Sequence, residues 1–280
     1  MKRYRGGAVI DRVVHRVLGA VRFVDATVAQ LEGVSRQLVV TEPVTIRAAE
    51  LTFRRNRRNY YVLHRSSHPL LRAHHDQFEA PPALPAIGSL SFAVEVVPST
   101  GSYLPRVATI ALPRDPDPAA VNSLFTPLDL RLYRAPTAVP LAGWGAVRVT
   151  VRDAGGDAVP GALVRVVAAD DATNLMGEGI TEWRGRARGE ALVPIAKIPT
   201  TSVAANGTGP VISQGIAITI QAFHHPGFDP ETALPDPDDL EARRQILVAA
   251  PDPDALSDFL VASGVVNRVI RAGEVIYVVL

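Results

Sequence analysis

The sequence predicts a mainly β protein with two β-sandwich domains, a short N-terminal helix and short helices near the C-terminus. Two observations support this fold class. Apolar side chains recur at every second position in many short runs, which is the period of a half-buried strand. Clusters of glycine, proline, asparagine and aspartate separate these runs, as the turns between strands require.

The first predicted element is an amphipathic helix at residues 8–18, within an N-terminal segment that spans 1–19. Its apolar stripe follows the i, i+3, i+4, i+7 spacing of one helix face and consists of Ile10, Val13, Val14, Val17 and Leu18. The stripe packs either on its own domain or on a partner subunit. It lacks the aromatic anchor that is typical of membrane-surface helices. We therefore take the stripe as a candidate protein interface.

The first predicted sandwich domain spans 20–135. Its predicted strands are 21–24, 37–40, 44–46, 51–53, 60–63, 89–97, 106–112 and 128–133. Residues 54–59 form a turn-like loop between two of these strands. The cations of this loop are Arg54, Arg55, Arg57 and Arg58. Three roles stay open for them: a solvated hairpin tip, a contact to an acidic partner protein, or a nucleic-acid contact that the net charge of +1 disfavours.

The proline-rich segment 136–140 predicts the junction between the two domains, because proline stiffens the chain and cannot continue a central strand. The second predicted domain spans 141–280. Its first segments are a strand at 146–152, a turn at 153–157, a strand at 159–166 and a hairpin formed by 177–183 and 188–194.

This order of segments resembles the transthyretin-like, carboxypeptidase-regulatory-like (Ig-like) β-sandwich family. The residues that carry the resemblance include Pro160-Gly161 at the start of the second strand and the glycines Gly177 and Gly179 in the hairpin. The resemblance covers residues 144–223 and implies a sandwich fold there. The first domain, with its hairpin that ends in Tyr60-Tyr61-Val62-Leu63, resembles a degenerate copy of the same module. The resemblance implies no reaction, because a fold does not state a function. More distantly, the chain resembles accessory structural proteins of phage-tail-like contractile injection particles.

Beyond residue 223 the sequence predicts two short helices and a closing hairpin. Each helix begins with an Asp-Pro pair that supplies an N-cap and a first helical residue, at Asp236 and at Asp252, and the second helix should end near Ser263. The hairpin consists of strands 265–270 and 275–280. The last strand is apolar on both faces and is suited to pairing with a partner's sheet. Its candidate interface residues are Val275, Tyr277 and Val279.

Candidate catalytic and ligand-binding residues are sparse. The residues that resemble metal ligands are His64, His68, His74, His75 and Asp76. No second carboxylate follows them at ligand-like spacing, so a solvated polar loop is the simpler interpretation. No serine lies in the Gly-x-Ser-x-Gly motif that positions a catalytic serine nucleophile. No glycine-rich loop precedes a predicted helix, as a phosphate-binding loop would. One further alternative stays open: Trp144 and Trp183 together form a surface on which a sugar ring stacks. We expect no enzyme activity, no cofactor and no metal.

The chain contains no cysteine, and its basic start is not followed by a continuous apolar signal segment. No window approaches the roughly 18 apolar residues of a membrane span. We expect a cytoplasmic protein, or part of a particle assembled in the cytoplasm, with no nucleic-acid partner. The expected function is a structural or assembly subunit that docks to other proteins of a large bacterial complex. The alternatives are a ligand- or glycan-binding module and a metal-dependent enzyme that uses residues 64–76.

Overall fold

The computed structural model is mainly β and is organised as two compact units. The residues that it describes are 16–29, 39–77, 81–140, 142–196, 198, 200–202, 211–249, 261–262 and 264–280. Unit 1 consists of Met1–Val21, Ala49–Ser91 and Ala111–Leu128, and unit 2 of Arg22–Ala48, Phe92–Ile110 and Asp129–Leu280. None of the helices in the described ranges is long and apolar enough to cross a membrane.

The elements of the described chain follow in this order: β1 (Gly19–Asp25), α1 (Ala26–Ala29), β2 (Val44–Arg47), β3 (Leu51–Arg55), β4 (Tyr61–Ser66), α2 (Pro69–Asp76), β5 (Leu90–Pro98), β6 (Arg106–Leu112), β7 (Leu128–Leu132), β8 (Gly145–Thr150), β9 (Leu163–Ala168), β10 (Leu175–Ile180), β11 (Glu190–Ile195), β12 (Thr200–Ser202), β13 (Val211–Ser213), β14 (Ile216–His224), α3 (Pro237–Ala249), β15 (Val261–Ala262), β16 (Val266–Ile270) and β17 (Val275–Val279). The predicted mainly β fold is therefore confirmed.

The helices agree with the sequence only in part. The first Asp-Pro pair begins α3 as predicted, because Oδ1 of Asp236 accepts a hydrogen bond from the N–H of Asp238 at 3.1 Å. Most of the second predicted helix lies outside the described residues. Its described residues 261–262 form β15 and pair with β14, so the helix prediction is wrong there. The predicted N-terminal helix also lies mostly outside the described residues, and residues 16–18 are not helical.

In unit 1, β3 and β4 form an antiparallel hairpin that the start of β1 extends, with Gly19 opposite Leu63. Helix α2 follows β4, with Pro69 as its first residue and Leu71 fully buried. Pro69 is suited to this position because the first helical residue needs no N–H bond within the helix.

Unit 2 contains two sheets that pack face to face, the arrangement of a β-sandwich. One sheet has the order β11-β8-β17, and the other has the order β10-β9-β14, with β15 and β16 also paired to β14. Both sheets contribute to a core of small and branched apolar side chains. Its fully buried members include Val147, Val164, Val166, Val193, Ile195, Ile218, Ile220 and Ile270. A third sheet of this unit has the order β2-β5-β6.

The hairpin predicted from residues 177–194 is wrong. Strand β10 pairs with β9, and β11 pairs with β8, so the two strands belong to opposite sheets of the sandwich. The glycines of β10 give the physical reason. A Cβ on Gly177 would lie 2.7 Å from the carbonyl oxygen of Pro194, and one on Gly179 would lie 2.9 Å from Val193. These glycines allow the two sheets to approach closely.

The proline segment 136–140 packs within unit 2. Pro136 and Ala138 are buried, and Ala138 belongs to a small apolar cluster with Ala146 and Leu192. The Arg148 guanidinium donates a hydrogen bond to the Pro136 carbonyl. The boundaries of the two compact units do not coincide with this segment. Its role as a folding junction between 20–135 and 141–280 stays a prediction.

Candidate functional site

The strongest candidate site is the outer edge of β17, the last strand of the chain. This strand lies at the end of the β11-β8-β17 sheet and runs parallel to β8. At its start, the Glu274 carbonyl accepts a hydrogen bond from the Ala146 N–H at 2.8 Å. Just beyond its end, the Leu280 N–H donates to the Thr150 carbonyl at 2.9 Å. The even-numbered residues therefore direct their backbone groups toward β8.

The odd-numbered residues of β17 direct their backbone groups the other way, because successive residues of a strand alternate in direction. These residues are Val275, Tyr277 and Val279, the three that the sequence analysis selected. No strand among the described residues pairs with this edge. The edge therefore presents a row of backbone donors and acceptors with the geometry that a further strand requires.

The side chains of β17 differ between its two faces. Val278 is buried in the sandwich core, and Ile276 packs against it. On the other face, Tyr277 is 75% exposed and Val279 is 62% exposed. Within the described part of the chain, the sheet therefore has a core on one side only at the positions of Tyr277 and Val279. An apolar surface lies beside the open edge.

The predicted N-terminal interface does not form an exposed apolar stripe among the described residues. Ile10, Val13 and Val14 lie outside the described residues. Leu18 is buried, and its N–H donates to the Leu63 carbonyl at 2.8 Å, so it belongs to the core of unit 1. Val17 is half-buried.

The arginine-rich loop forms the end of the β3–β4 hairpin. Asn56 orders the turn, since its Oδ1 accepts hydrogen bonds from two backbone N–H groups, those of Arg58 and Tyr60. Asn59 has a φ of 63°, a left-handed conformation that asparagine tolerates better than most residues. The four exposed cations are Arg54, Arg55, Arg57 and Arg58. The loop is therefore an ordered, positively charged hairpin tip.

A network of ion pairs in unit 2 was not anticipated by the sequence analysis. At its centre, the Arg106 side chain is only 2% exposed. Its Nη2 lies 3.1 Å from Oδ1 of Asp236 and also pairs with Asp238. Its Nη1 donates to the Arg131 carbonyl at 3.0 Å, so the buried guanidinium is well satisfied.

The same network continues onto the outer face of the β10-β9-β14 sheet. Glu178 is 3% exposed and accepts a hydrogen bond from Arg131 at 3.1 Å. Its other oxygen lies 3.3 Å from Nε of Arg165, the residue directly opposite on β9. Arg131 also pairs with Asp238 at 3.1 Å and so joins the two parts of the network. Each of the three carboxylates Asp236, Asp238 and Glu178 therefore has at least one arginine within ion-pair distance.

Burial and the nearby cations have opposite effects on the pKa values of these carboxyls. Burial raises the pKa of Glu178 above its ordinary value, although Arg131 and Arg165 oppose this. For Asp238, burial acts in the same direction, but Arg106 and Arg131 outweigh it and hold its pKa below the ordinary value. These shifts accompany a structural network, so we assign the network to stability.

The candidate metal ligands and the tryptophan pair gain no support as sites. Among the described residues, no group of three or more His, Asp or Glu side chains is arranged to hold a metal ion. His64 is half-buried, and burial followed by the charge of Arg54 lowers its pKa. Trp183 is 4% exposed and belongs to an apolar cluster of unit 2. A buried ring offers no surface for sugar stacking, so the two tryptophans do not form a platform.

Comparison with known proteins adds no identification. No protein-family model matches this chain, and a search of curated proteins returned no match. The fold and the site define a β-sheet protein with an open, apolar sheet edge at the end of its last strand.

Proposed function

We propose that the protein is a non-enzymatic assembly subunit that docks to another protein subunit by strand addition at the outer edge of β17. The observation that carries this proposal is the row of backbone groups at Val275, Tyr277 and Val279, which no described strand pairs with and which lies beside the exposed Tyr277 and Val279 side chains. In strand addition, main-chain hydrogen bonds supply affinity, and alternate side chains supply specificity.

The composition of β17 supports this role. Proteins protect solvent-exposed edges with charged residues, prolines or bulges, since an unprotected edge promotes aggregation. The sequence of β17 is Val-Ile-Tyr-Val-Val, which contains neither a charge nor a proline. Its pairing with β8 is regular along the whole strand, with no bulge. An edge with these properties is suited to being covered by a partner strand.

The arginine-rich hairpin tip supports docking in a second way. Its four exposed cations form a positive surface on a protein whose net charge is only +1. Such a surface accelerates encounter with an acidic partner, and the effect weakens as salt screens the charges. We assign this loop to steering and the β17 edge to affinity.

The wider setting that we propose is a large bacterial assembly, with a phage-tail-like contractile injection particle as the specific candidate. The support for this setting is the resemblance of residues 144–223 to connecting β-sandwich modules. Genes for sheath, tube and baseplate-like proteins beside the gene for this chain would strengthen the candidate. Their absence would leave the docking edge unaffected and remove the specific particle.

Hydrogen exchange tests whether the edge is open in the isolated protein. The amides of Ile276, Val278 and Leu280 point toward β8 and should exchange slowly. The amides of Tyr277 and Val279 point outward and should exchange rapidly, then become protected when the native complex forms. Slow exchange at all five amides in the isolated chain would mean that the edge is already covered.

A matched pair of variants tests docking itself. In Tyr277→Pro the lost N–H belongs to the open edge, where proline is tolerated, so the fold should persist while incorporation into the native complex falls at least about tenfold. Tyr277→Thr removes the ring but keeps the amide and the strand preference, and it should dock more weakly than the natural protein but better than the proline variant. Normal incorporation of a folded Tyr277→Pro protein contradicts strand addition.

A further inference from the structure

Among the described residues, the sheet that contains β17 is one strand narrower than the sheet that faces it. The two sheets approach closely at β10 and β11, where a Cβ on Gly177 would lie 2.7 Å from the Pro194 carbonyl oxygen. Counted from that side, the first sheet ends at β17, whereas β16 continues the facing sheet beyond β14. A further strand beside β17 would therefore lie opposite β16.

Arg268 lies on the side of β16 that faces this position. In the antiparallel pair of β14 and β16, Arg268 is opposite Ile218, and Val266 is opposite Ile220. Residues directly opposite one another in an antiparallel pair project from the same face of the sheet. Because Ile218 and Ile220 are fully buried in the sandwich core, Arg268 and Val266 belong to the core-facing side of β16.

This core-facing side of β16 is fully covered only at the end of the strand. Ile270, next to the turn that leads to β17, is fully buried, whereas Val266 is half-buried and Arg268 is exposed. Nη1 of Arg268 donates a hydrogen bond to the Asn267 carbonyl at 2.9 Å. No carboxylate in the described part of the chain forms an ion pair with Arg268. A cation without a counterion therefore lies opposite the position for a further strand.

A strand added to β17 would change the surroundings of Arg268. Its core-facing side chains would extend the row formed by Ile276 and Val278 and would cover the guanidinium. An apolar strand would remove water from this cation without replacing its hydrogen bonds, which is costly. A strand that carries a carboxylate at this point would instead form charge-assisted hydrogen bonds with it. Arg268 is therefore placed to discriminate between partner strands.

On the basis of the proposed strand addition at β17, we propose that the partner segment is an extended strand with a central acidic residue, flanked by an apolar residue two positions away on each side. Arg268 and Tyr277 lie at equal distances along the chain from the turn at 271–274, so the carboxylate meets Arg268 beside the middle of β17. A second copy of this chain fits less well, because its β17 supplies only Ile276 and Val278 on this face.

Two synthetic peptides test the charge of the partner. The acidic peptide is Thr-Val-Thr-Glu-Thr-Val-Thr with blocked ends, and the neutral peptide has glutamine in place of glutamate. In an NMR titration at low salt, both should shift the amides of Tyr277 and Val279, and the acidic peptide should bind about tenfold more tightly. Equal affinities at these amides would overturn the acidic partner and leave strand addition intact. No shift at these amides with either peptide would contradict strand addition itself.

Variants of the protein test the role of Arg268. Arg268→Gln should abolish the preference for the acidic peptide and leave binding of the neutral peptide unchanged. Arg268→Glu should instead prefer a third peptide, with lysine at the centre. Arg186→Gln makes the same change of charge at an exposed position of unit 2 and should keep the preference for the acidic peptide. A preference that persists in folded Arg268→Gln would overturn the role of Arg268. Dimerisation of the natural chain that Tyr277→Pro abolishes would identify a second copy as the occupant and overturn the acidic partner.

Discussion

The two faces of the β10-β9-β14 sheet are built from the same strands but stabilised by different physics. On the inner face, Val164 and Val166 of β9 join an apolar core in which every member can be exchanged for a similar side chain at modest cost. On the outer face, Arg165 of β9 and Glu178 of β10 join a network of ion pairs. There each charge depends on one or two specific partners, so the loss of one charge weakens the pairing of its neighbours.

The largest effect should come from breaking the charged face at Arg106. Arg106→Leu removes the cation of Asp236 and leaves Asp238 with Arg131, and we expect a loss of about 1.5–3 kcal/mol in the free energy of unfolding. Urea denaturation measures this loss. Arg186→Leu, at an exposed position, is the control and should change stability by less than about 0.5 kcal/mol. A loss below about 1 kcal/mol in Arg106→Leu would show that the network contributes little.

A smaller effect should follow from a conservative change on the apolar face. Ile220 is fully buried in the sandwich core, and Ile220→Val removes one methylene without leaving a polar group unpaired. We expect a loss of about 0.5–1.5 kcal/mol, measured by the same denaturation. A loss as large as that of Arg106→Leu would remove the contrast between the two faces.

The smallest effect concerns pH and sharpens the description of the charged face. Because the folded-state pKa of Glu178 is raised, its contribution to stability is fully present below its unfolded value of about 4.3 and is lost as pH rises through the folded value. Asp238 has a lowered pKa, so its contribution is present above about 3.9 and is lost as pH falls.

Melting temperatures between pH 3 and pH 8 test these opposite signs. The difference between Glu178→Gln and the natural protein should become more favourable to the variant as pH rises from 4 to 7. The difference between Asp238→Asn and the natural protein should become more favourable to the variant as pH falls below 4. Parallel curves for either variant would contradict the corresponding pKa shift.

Local sequence patterns predicted the strands well but predicted their partners poorly. The alternating runs that became β5, β6 and β8 were recognised because alternation is a property of a single strand. The pairing of β10 with β9 was missed, because the runs 177–183 and 188–194 are also compatible with a hairpin. In the same way, the local sequence does not show why residue 177 is a glycine. The structure shows it, because a Cβ at this position would not fit against the facing strand β11.

The candidate sites show the same difference between features that depend on neighbouring residues and contacts between residues far apart in the chain. The apolar character of β17 and its lack of charges and prolines are visible in the sequence. Its position at the edge of a sheet is not, because that depends on its pairing with β8. The partners of Arg106 and Glu178 are not visible in the sequence either, because the atoms that meet there are separated by more than one hundred residues for Arg106–Asp236 and forty-seven for Arg131–Glu178. Likewise, the sequence offers His74 as a candidate metal ligand, whereas the structure places it on α2 as a buried side chain.

The positions of many strands, the N-cap of α3 at Asp236 and the apolar character of β17 follow from local sequence, because each depends on residues close together in the chain. The sheet that each strand joins and the charges that become buried together follow from the fold as a whole. The physical reason is that packing and ion pairing depend on distances between residues far apart in sequence, whereas alternation and capping depend on their nearest neighbours.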